Sequence, residues 1–317
     1  MPSYAAFGGC LDSEIAFPEL TELPLSPPTW TLRTSAGTPD ASAGEYLGHD
    51  RVDGDVCVRL YRSERGYRLR FDDTGSFEVS ADGSRIRWFP DGRAPDEAVR
   101  IDVLGRVLAL AMHAGGMFCL HGSAVAMGEG AVAFLAPKLH GKSTLALALA
   151  LAGGRLMGDD TIALDLSDGP SIRPGIPGVR LWADSAGRLA ADAEWRAAGA
   201  KGVFDVLTED RVMRAPAPVR AIYLLGPVPS DAGAPVRRER LKPVPAALSL
   251  VAHAKLGPLL GRAESGALVG WAAALVRTTP VYVLEVMRDY DRLPDVVRQV
   301  QAWHPDTHAA ASVVALL

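Results

Sequence analysis

Ala131-Val132-Ala133-Phe134-Leu135 runs directly into Ala136-Pro137-Lys138-Leu139-His140-Gly141-Lys142-Ser143-Thr144 and then into an Ala/Leu-rich run over residues 145–152. The first five residues predict a buried strand and the last run predicts a helix, so the nine residues between them form a strand-to-helix loop. Such a loop aims backbone N–H groups inward, and the helix N-terminus that follows favours anions. The stretch therefore predicts a phosphate-binding loop in a nucleotide-binding protein.

The 136–144 loop carries specific expectations for its last residues. Lys142 is expected to reach the β- and γ-phosphates, the Ser143 hydroxyl to complete a Mg²⁺ shell and Thr144 to bond the α-phosphate. Lys138 and His140 are expected to face solvent, the alternative being added positive charge beside the phosphates. All nine loop residues are candidate nucleotide contacts: Ala136, Pro137, Lys138, Leu139, His140, Gly141, Lys142, Ser143 and Thr144.

The loop departs from the usual pattern at its first positions. Ala136 stands where glycine is expected, and Leu139 and His140 stand where small residues are common. Glycine is favoured in such loops because it permits conformations that a Cβ disfavours. We therefore expect a reshaped loop, and the sequence leaves open whether ATP affinity and activity are retained.

Two acidic residues, Asp159 and Asp160, lie 17 and 18 residues beyond Lys142, after the predicted helix and one short strand. One carboxylate of such a pair can hold Mg²⁺ and the other can accept a proton from an attacking hydroxyl. The alternative for two adjacent acids at a strand end is an ordinary turn. Their position after a phosphate-binding loop favours the functional interpretation.

His121 lies in Leu120-His121-Gly122-Ser123, on the predicted strand that precedes the loop strand. If His121 faces Asp159 or Asp160, it can tune the basicity of that acid or bind phosphate as imidazolium. Gly122 removes bulk beside it, which suits close approach to a ligand. The alternative is a packed or surface histidine.

The rest of the chain divides into a β-rich first part and a mixed second part. Alternating apolar positions over residues 56–88, punctuated by glycine and aspartate turns, predict an antiparallel meander with one buried face. Residues 96–114 have helical spacing and end at Gly115-Gly116. Further predicted segments are an exposed loop at 35–45, strands at 117–127, 131–135, 156–166 (interrupted at 158–160), 221–225 and 281–286, a mobile charged stretch around 230–242, and helices at 142–152, 244–260, 265–277 and from about 293.

Composition and charge narrow the class of protein. A net charge of −4 over 317 residues gives no reason to expect a nucleic-acid or membrane-surface partner. Cys10, Cys57 and Cys119 are odd in number and far apart, which fits neither a disulfide framework nor a metal site and suits a reducing compartment. Without a recognisable leader or an apolar run long enough to span a bilayer, the expected location is cytoplasmic.

Three motifs together resemble the HPr serine kinase/phosphorylase family, whose P-loop kinase core is similar to that of phosphoenolpyruvate carboxykinase. They are residues 120–125, the 136–144 loop and Met157-Gly158-Asp159-Asp160, and the resemblance covers about residues 96–300. It implies that Lys142, Ser143 and Thr144 bind ATP and Mg²⁺, that His121 supports catalysis, and that Asp159 and Asp160 are base and metal partner. We favour Asp159 as base and Asp160 as metal ligand beside Ser143, although the sequence does not decide the order.

Two further segments resemble one particular branch of this family. The opening residues 4–20 and Pro177-Gly178-Val179-Arg180-Leu181-Trp182 are similar to a stand-alone branch of the family that includes lasso peptide tailoring kinases, which phosphorylate the C-terminal serine of a precursor peptide. Arg180 and Lys201 stand at positions that are often basic in that branch. Either can neutralise the transferring phosphate, the alternative being a surface cation.

These observations combine into one hypothesis. The expected fold class is α+β with an α/β core: a β-rich N-terminal domain over residues 1–95, serving acceptor recognition or as a structural cap, and an ATP-binding kinase domain of the HPr kinase type over residues 96–317. The expected function is Mg-ATP-dependent phosphorylation of a hydroxyl, with a serine of a lasso-type precursor peptide as first choice. The alternatives are a small-molecule or carrier-protein kinase of the same core and a non-catalytic nucleotide-binding module, and a homo-oligomer remains possible because relatives of this core often form rings.

Overall fold

The computed structural model describes residues 1–39, 44–52, 56–92, 94–181, 183–189, 195–198, 201–204, 209–227 and 234–305. The chain divides into two compact units, the first made of Met1–Cys119 with Ala254–Trp271 and the second of Leu120–His253 with Ala272–Leu317. The division differs from the boundary predicted between residues 95 and 96, because the helical segment after residue 95 belongs to the first unit. The roles predicted for the two domains remain predictions.

The first unit is built on a mixed sheet with the strand order β3-β1-β2-β4-β9-β8-β7-β6-β5. Its strands are β1 Ser3–Ala6, β2 Gly9–Ser13, β3 Glu22–Leu23, β4 Trp30–Thr34, β5 Glu45–Arg51, β6 Cys57–Ser63, β7 Gly66–Phe71, β8 Gly75–Ser80 and β9 Arg85–Phe89. From β5 to β9 every neighbouring pair is antiparallel, which confirms the predicted meander. β4 joins it in parallel with both β2 and β9.

Alternation explains why these strands bury one face. In β6, Val58 and Leu60 are fully buried, while the residues between and beside them are partly exposed. In β8, Phe77 and Val79 are likewise buried on either side of the partly exposed Glu78. Successive side chains of a strand point to opposite faces, so a period of two places one apolar set in the core.

The helical segment of the first unit consists of α1 Asp96–Asp102, a π-helical stretch Val103–Val107 and α2 Leu108–Ala114. Val99, Val103 and Val107 are buried at a spacing of four residues, as the helical periodicity predicts. The segment ends at Gly115-Gly116, where Gly116 adopts a left-handed conformation with φ 87°. The predicted helix and its end are confirmed.

The remaining strands are β10 Phe118–Leu120, β11 Gly122–Met127, β12 Gly130–Leu135, β13 Arg155–Gly158, β14 Ile162–Asp165, β15 Ser171–Arg173, β16 Val179–Leu181, β17 Trp195–Ala198, β18 Lys201–Phe204, β19 Ala217–Pro227, β20 Val236–Arg240 and β21 Val281–Val286. The remaining helices are α3 Lys142–Leu151, α4 Ala183–Leu189, α5 Pro243–Ala252, α6 Arg262–Thr278 and α7 Leu293–Ala302. Two single 3₁₀ turns cover Glu209–Arg211 and Tyr290–Arg292. None of the helices within the described ranges is long and apolar enough to cross a membrane.

The sheet of the second unit positions the 136–144 loop. It runs β14-β15-β19-β12-β11-β13, with β21 on the other side of β19 and β20 beside β21. β12 lies parallel to β19 and antiparallel to β11, so β12 is interior and all six of its residues are buried. The loop leaves the carboxyl end of β12 and leads into α3, in which residues 145–150 are all buried. This is the strand, loop and helix that the opening stretch of sequence predicts.

Three sequence predictions for the part of the chain after residue 116 are corrected. The predicted strand 117–127 is interrupted at His121, which lies between β10 and β11. The predicted helix 244–260 ends at Ala252, since α5 stops there. The charged stretch around 230–242 contains an ordered strand, β20, paired antiparallel with β21; its residues 230–233 lie outside the described ranges.

Candidate active site

The 136–144 loop adopts left-handed backbone at two positions. Gly141, the residue before α3, has φ 82°, and Leu139 has φ 66° with a side chain that is 69% exposed. For a residue with a Cβ the left-handed region costs about 1–2 kcal/mol. The unusual Leu139 therefore does not abolish the conformation that glycine favours; the loop adopts it at a cost.

Lys142 is buried and folds back over its own loop. Its Nζ donates to the carbonyl oxygen of Ala136 at 2.8 Å and to that of Pro137 at 3.0 Å. Lys138, by contrast, is exposed, as predicted, while His140 is partly exposed and its Nδ1 lies 2.8 Å from the Lys138 carbonyl oxygen. The ammonium group that is expected to reach phosphates thus bonds to the loop that would surround them.

Asp159 joins three separate segments of the second unit. Its Oδ1 accepts hydrogen bonds from the hydroxyls of Ser143 at 2.9 Å and Ser123 at 2.5 Å. Its Oδ2 accepts the backbone N–H of Arg180 at 2.9 Å. The first residue of the acid pair is therefore connected to the start of α3, to β11 and to β16.

Asp160 faces the other way, toward His121. The His121 Nδ1 lies 3.0 Å from the Asp160 carbonyl oxygen and 3.3 Å from its Oδ1. Asp160 has φ 70°, and the N–H of Thr161 closes a tight turn by donating to the Asp159 carbonyl at 2.9 Å. A left-handed aspartate between two strands sends the adjacent carboxylates in different directions. The structure thus pairs Ser143 with Asp159 and His121 with Asp160, and Lys142 directly precedes Ser143. The catalytic and binding roles of these residues remain predictions.

The oxygen atoms of Ser143 and Asp159 fit a site for Mg²⁺. Magnesium prefers oxygen ligands and is usually held by one or two protein groups together with phosphate oxygens and water. Within the described ranges no group of three or more His, Cys, Asp or Glu side chains could hold a metal by itself. A hydroxyl and a carboxylate oxygen 2.9 Å apart, at the start of α3, match a metal held jointly with a phosphorylated ligand.

Of the two basic residues predicted to lie near the transferring phosphate, the structure gives a contact for Arg180 and does not describe the side chain of Lys201. Arg180 contributes its backbone N–H to Asp159, a contact that the prediction of a basic side chain did not include. The backbone of Lys201 lies in β18, but its side chain falls outside the described part of the chain, as do all atoms of Trp182. The role predicted for Lys201 stays a prediction.

Gly122 serves packing, which corrects the expectation that it makes room for a ligand. A Cβ at this position would lie 2.5 Å from Leu135 Cδ2, 2.7 Å from the Phe134 carbonyl oxygen and 2.8 Å from Ile162 Cδ1. Protein atoms already occupy the space beside it. The glycine allows β11, β12 and β14 to approach closely next to His121.

His253, which follows the end of α5, is a candidate that no sequence pattern singles out. Its carbonyl oxygen accepts the backbone N–H of His121 at 2.8 Å, and its Nδ1 lies 2.8 Å from the Ser249 carbonyl oxygen. Burial lowers the pKa of His253, opposed by the bond to the Ser249 carbonyl, and the positive groups of His121 and Lys142 lower it further. His253 therefore contacts the backbone of a predicted catalytic residue, and no local motif marks it.

Comparison with known proteins adds little to these observations. The sequence matches no protein-family model and no curated protein. Among solved structures the chain is similar to the HPr(Ser) kinase/phosphatase from Coxiella burnetii, with 16% identity over 58% of this chain and 94% of that chain and a TM-score of 0.31. A likeness at this level carries no functional argument.

Proposed function

We propose that this protein is a Mg-ATP-dependent phosphotransferase that acts on a hydroxyl group. The observation that carries the proposal is the convergence of two pairs at one end of β12 and α3. Ser143 and Asp159 form an oxygen pair suited to a divalent cation, and His121 and Asp160 form an imidazole–carboxylate pair suited to handling a proton. Phosphoryl transfer needs both functions beside a phosphate-binding loop.

The contacts support an order of roles opposite to the one favoured on sequence. Asp159 shares its Oδ1 with the Ser143 hydroxyl, so we assign Asp159 and Ser143 to the metal. Asp160 lies next to His121, with its side chain about one third exposed, so we assign it as the base for the acceptor hydroxyl. A base must be accessible to the proton that it removes, whereas a metal ligand must lie beside its partner ligand.

The proposed reaction is in-line transfer of the γ-phosphoryl group. The acceptor oxygen forms a bond to the γ-phosphorus, the bond from that phosphorus to the β,γ-bridging oxygen breaks, and ADP leaves. Asp160 takes the hydroxyl proton, and His121, within 3.3 Å of its Oδ1, stabilises and orients the carboxylate. When bound, Mg²⁺ would neutralise charge on the β- and γ-oxygens.

Lys142 supplies the remaining positive charge. Its ammonium, which now donates to the Ala136 and Pro137 carbonyls, would exchange those acceptors for phosphate oxygens when ATP enters the loop. Hydrogen bonds to charged acceptors are stronger than those to carbonyls, which favours the exchange. Lys142→Ala should therefore abolish triphosphate binding.

For the acceptor, we propose a serine of a ribosomally made, lasso-type precursor peptide. This choice rests on the sequence resemblance of residues 4–20 and 177–182 to that branch of kinases. The test is to incubate the protein with Mg-ATP and a precursor ending in serine, and to look by mass spectrometry for one added phosphate. A matched peptide ending in alanine is the control.

The same experiment separates the alternatives. If ATP binds but no peptide is phosphorylated, the peptide version is wrong, and ADP release from hydroxylated metabolites or carrier proteins would support the small-molecule or carrier-protein kinase. If ATP binds and Asp159→Asn and Asp160→Asn both leave every measurable function intact, the protein is a non-catalytic nucleotide-binding module.

A further inference from the structure

A cavity of 430 Å³ opens beside the 136–144 loop, and all of its lining residues belong to the second unit. Its size lies within the usual range for small-molecule sites, about 300–1,000 Å³. One end is lined by Gly141 and Thr144, and the walls are largely apolar, with Leu145, Leu225, Val286 and Leu293 among them. An apolar cavity that begins at a phosphate-binding loop is suited to the uncharged part of a phosphorylated ligand.

The first turn of α3 indicates how a nucleotide would be oriented in this site. The Ser143 hydroxyl bonds to Asp159, while the next residue, Thr144, lines the cavity. Successive helix residues are about 100° apart around the axis, so these neighbours lie on different sides of the helix start. A nucleotide with its terminal phosphates near Asp159 and its α-phosphate near Thr144 would continue into the cavity.

Three polar side chains of the lining, Ser185, Asp289 and Tyr290, already have hydrogen-bond partners. The hydroxyls of Ser185 and Tyr290 lie 2.8 Å apart, and the Asp289 Oδ1 accepts the N–H of Asp291 at 2.9 Å. A base that buries several polar groups without partners loses affinity, because each unpaired buried group costs free energy. Adenine has one exocyclic amine, whereas guanine also brings a carbonyl and a ring N–H, so adenine needs fewer polar partners from a lining that is largely apolar.

We propose that the cavity between the 136–144 loop, the end of β21 and the start of α7 holds the adenine and ribose of the ATP substrate. This inference rests on the proposed function, because it takes the phosphates to lie on the loop. It adds the residues that recognise the base, which no motif in the sequence marks.

Gly226 allows a test that leaves the loop unchanged. It lines the cavity, and a Cβ added to it meets no atom within 4 Å, so valine can be introduced there without a clash at the Cβ. Gly270, exposed on α6, likewise has no atom within 4 Å of an added Cβ and provides the control Gly270→Val. Affinities of ATP, GTP and inorganic tripolyphosphate, each with Mg²⁺, are measured by titration calorimetry for the full chain and both variants.

We expect wild-type protein to bind ATP at least about tenfold more tightly than tripolyphosphate and more tightly than GTP, a factor of ten being about 1.4 kcal/mol. Gly226→Val should weaken ATP binding by about tenfold or more and leave tripolyphosphate within about twofold, with Gly270→Val unchanged for both. Equal wild-type affinities for ATP and tripolyphosphate, or tighter binding of GTP than ATP, would overturn the assignment. These two comparisons do not depend on how well any variant folds.

The failure of this inference is distinguishable from that of the proposed function. If tripolyphosphate binds, Lys142→Ala abolishes that binding and Gly226→Val leaves ATP affinity unchanged, the loop is a phosphate site but the cavity does not hold the base. If Lys142→Ala leaves triphosphate binding intact, or no triphosphate binds, the proposed function fails and the inference fails with it.

Discussion

Replacing Asp159 or Asp160 singly with asparagine should separate the two carboxylates by stability as well as by activity. In Asp159→Asn an amide NH₂ replaces one carboxylate oxygen and must face either the Arg180 N–H or the two serine hydroxyls. The hydroxyls can rotate to accept, so the main loss is the charge on three hydrogen bonds. A hydrogen bond to a charged group contributes about 1.5–3 kcal/mol and its neutral counterpart about 1 kcal/mol, so each of the three bonds loses about 0.5–2 kcal/mol. We therefore expect the free energy of unfolding to fall by about 1.5–6 kcal/mol in total.

Asp160→Asn should leave the stability nearly unchanged. The shorter contact between His121 and Asp160, at 3.0 Å, uses the Asp160 backbone carbonyl, which the substitution keeps. The Asp160 side chain is one third exposed. Asparagine also tolerates the left-handed conformation at φ 70°. We expect a change within about 0.5 kcal/mol, the usual range for a substitution at a partly exposed side chain.

The assay combines urea unfolding with ATP titrations in the presence and absence of Mg²⁺. Both variants should lose nearly all phosphoryl transfer, but only Asp159→Asn should lose the Mg²⁺ dependence of ATP binding. If Asp160→Asn loses that dependence and Asp159→Asn keeps it, the two roles are reversed. If either variant turns over like wild type, the reasoning about that carboxylate is refuted.

Three further predictions concern single side chains. Ser143→Ala should weaken Mg²⁺-dependent ATP binding by about tenfold. Ser123→Ala removes the other hydroxyl that bonds to Asp159; it should lower the free energy of unfolding by about 1 kcal/mol and leave the Mg²⁺ dependence of ATP binding unchanged. Calorimetry with and without Mg²⁺ distinguishes the two variants. Leu139→Gly should raise the free energy of unfolding by about 0.5–1 kcal/mol, because it removes the strain of a left-handed leucine and, since that leucine is exposed, little packing. Leu139→Val should lower the free energy of unfolding. Urea unfolding measures both variants, and equal effects would contradict the strain argument. Burial, with the charges of Arg238 and Arg220, lowers the pKa of His304 to about 4. In the unfolded chain a histidine has a pKa near 6.5, so the unfolded state binds more protons than the folded state between about pH 6.5 and 4. The free energy of unfolding should therefore fall by about 1–2 kcal/mol as the pH is lowered through this range, after discounting for the partial exposure of His304. His304→Asn should reduce this fall, which urea unfolding at several pH values measures.

The sequence predicts those parts of the fold in which one chain segment carries its own signal. Val58 and Leu60, or Phe77 and Val79, alternate because each strand alone has one buried face, and the valines at 99, 103 and 107 mark a helix in the same way. The 136–144 loop is predictable because its function needs residues adjacent in sequence. In each case the pattern and the structure depend on the same short stretch.

Local sequence does not predict segments whose conformation depends on distant partners. β20 reads Val236-Arg237-Arg238-Glu239-Arg240, with no apolar alternation, and it is a strand because it pairs with β21, some 45 residues later. Arg238 is held there by contacts that local sequence does not encode: its guanidinium carbon lies 4.3 Å from the Trp303 ring centroid, and its Nη1 donates to the Tyr223 hydroxyl at 3.0 Å. Charge alone made the stretch resemble a solvated loop.

The same limit applies to the candidate site, because sequence does not distinguish the roles of the two acids. Asp159 and Asp160 are adjacent, so sequence gives them equivalent neighbours, but a left-handed turn at Asp160 sends one carboxylate to Ser143 and leaves the other beside His121. Three hydrogen bonds then fix Asp159 before any ligand binds, whereas Lys142 is bonded to its own loop. Because fixed groups need little reorganisation during reaction, the metal side of the site is preorganised. The conformational cost of binding a triphosphate should therefore fall mainly on Lys142 and the loop that it closes.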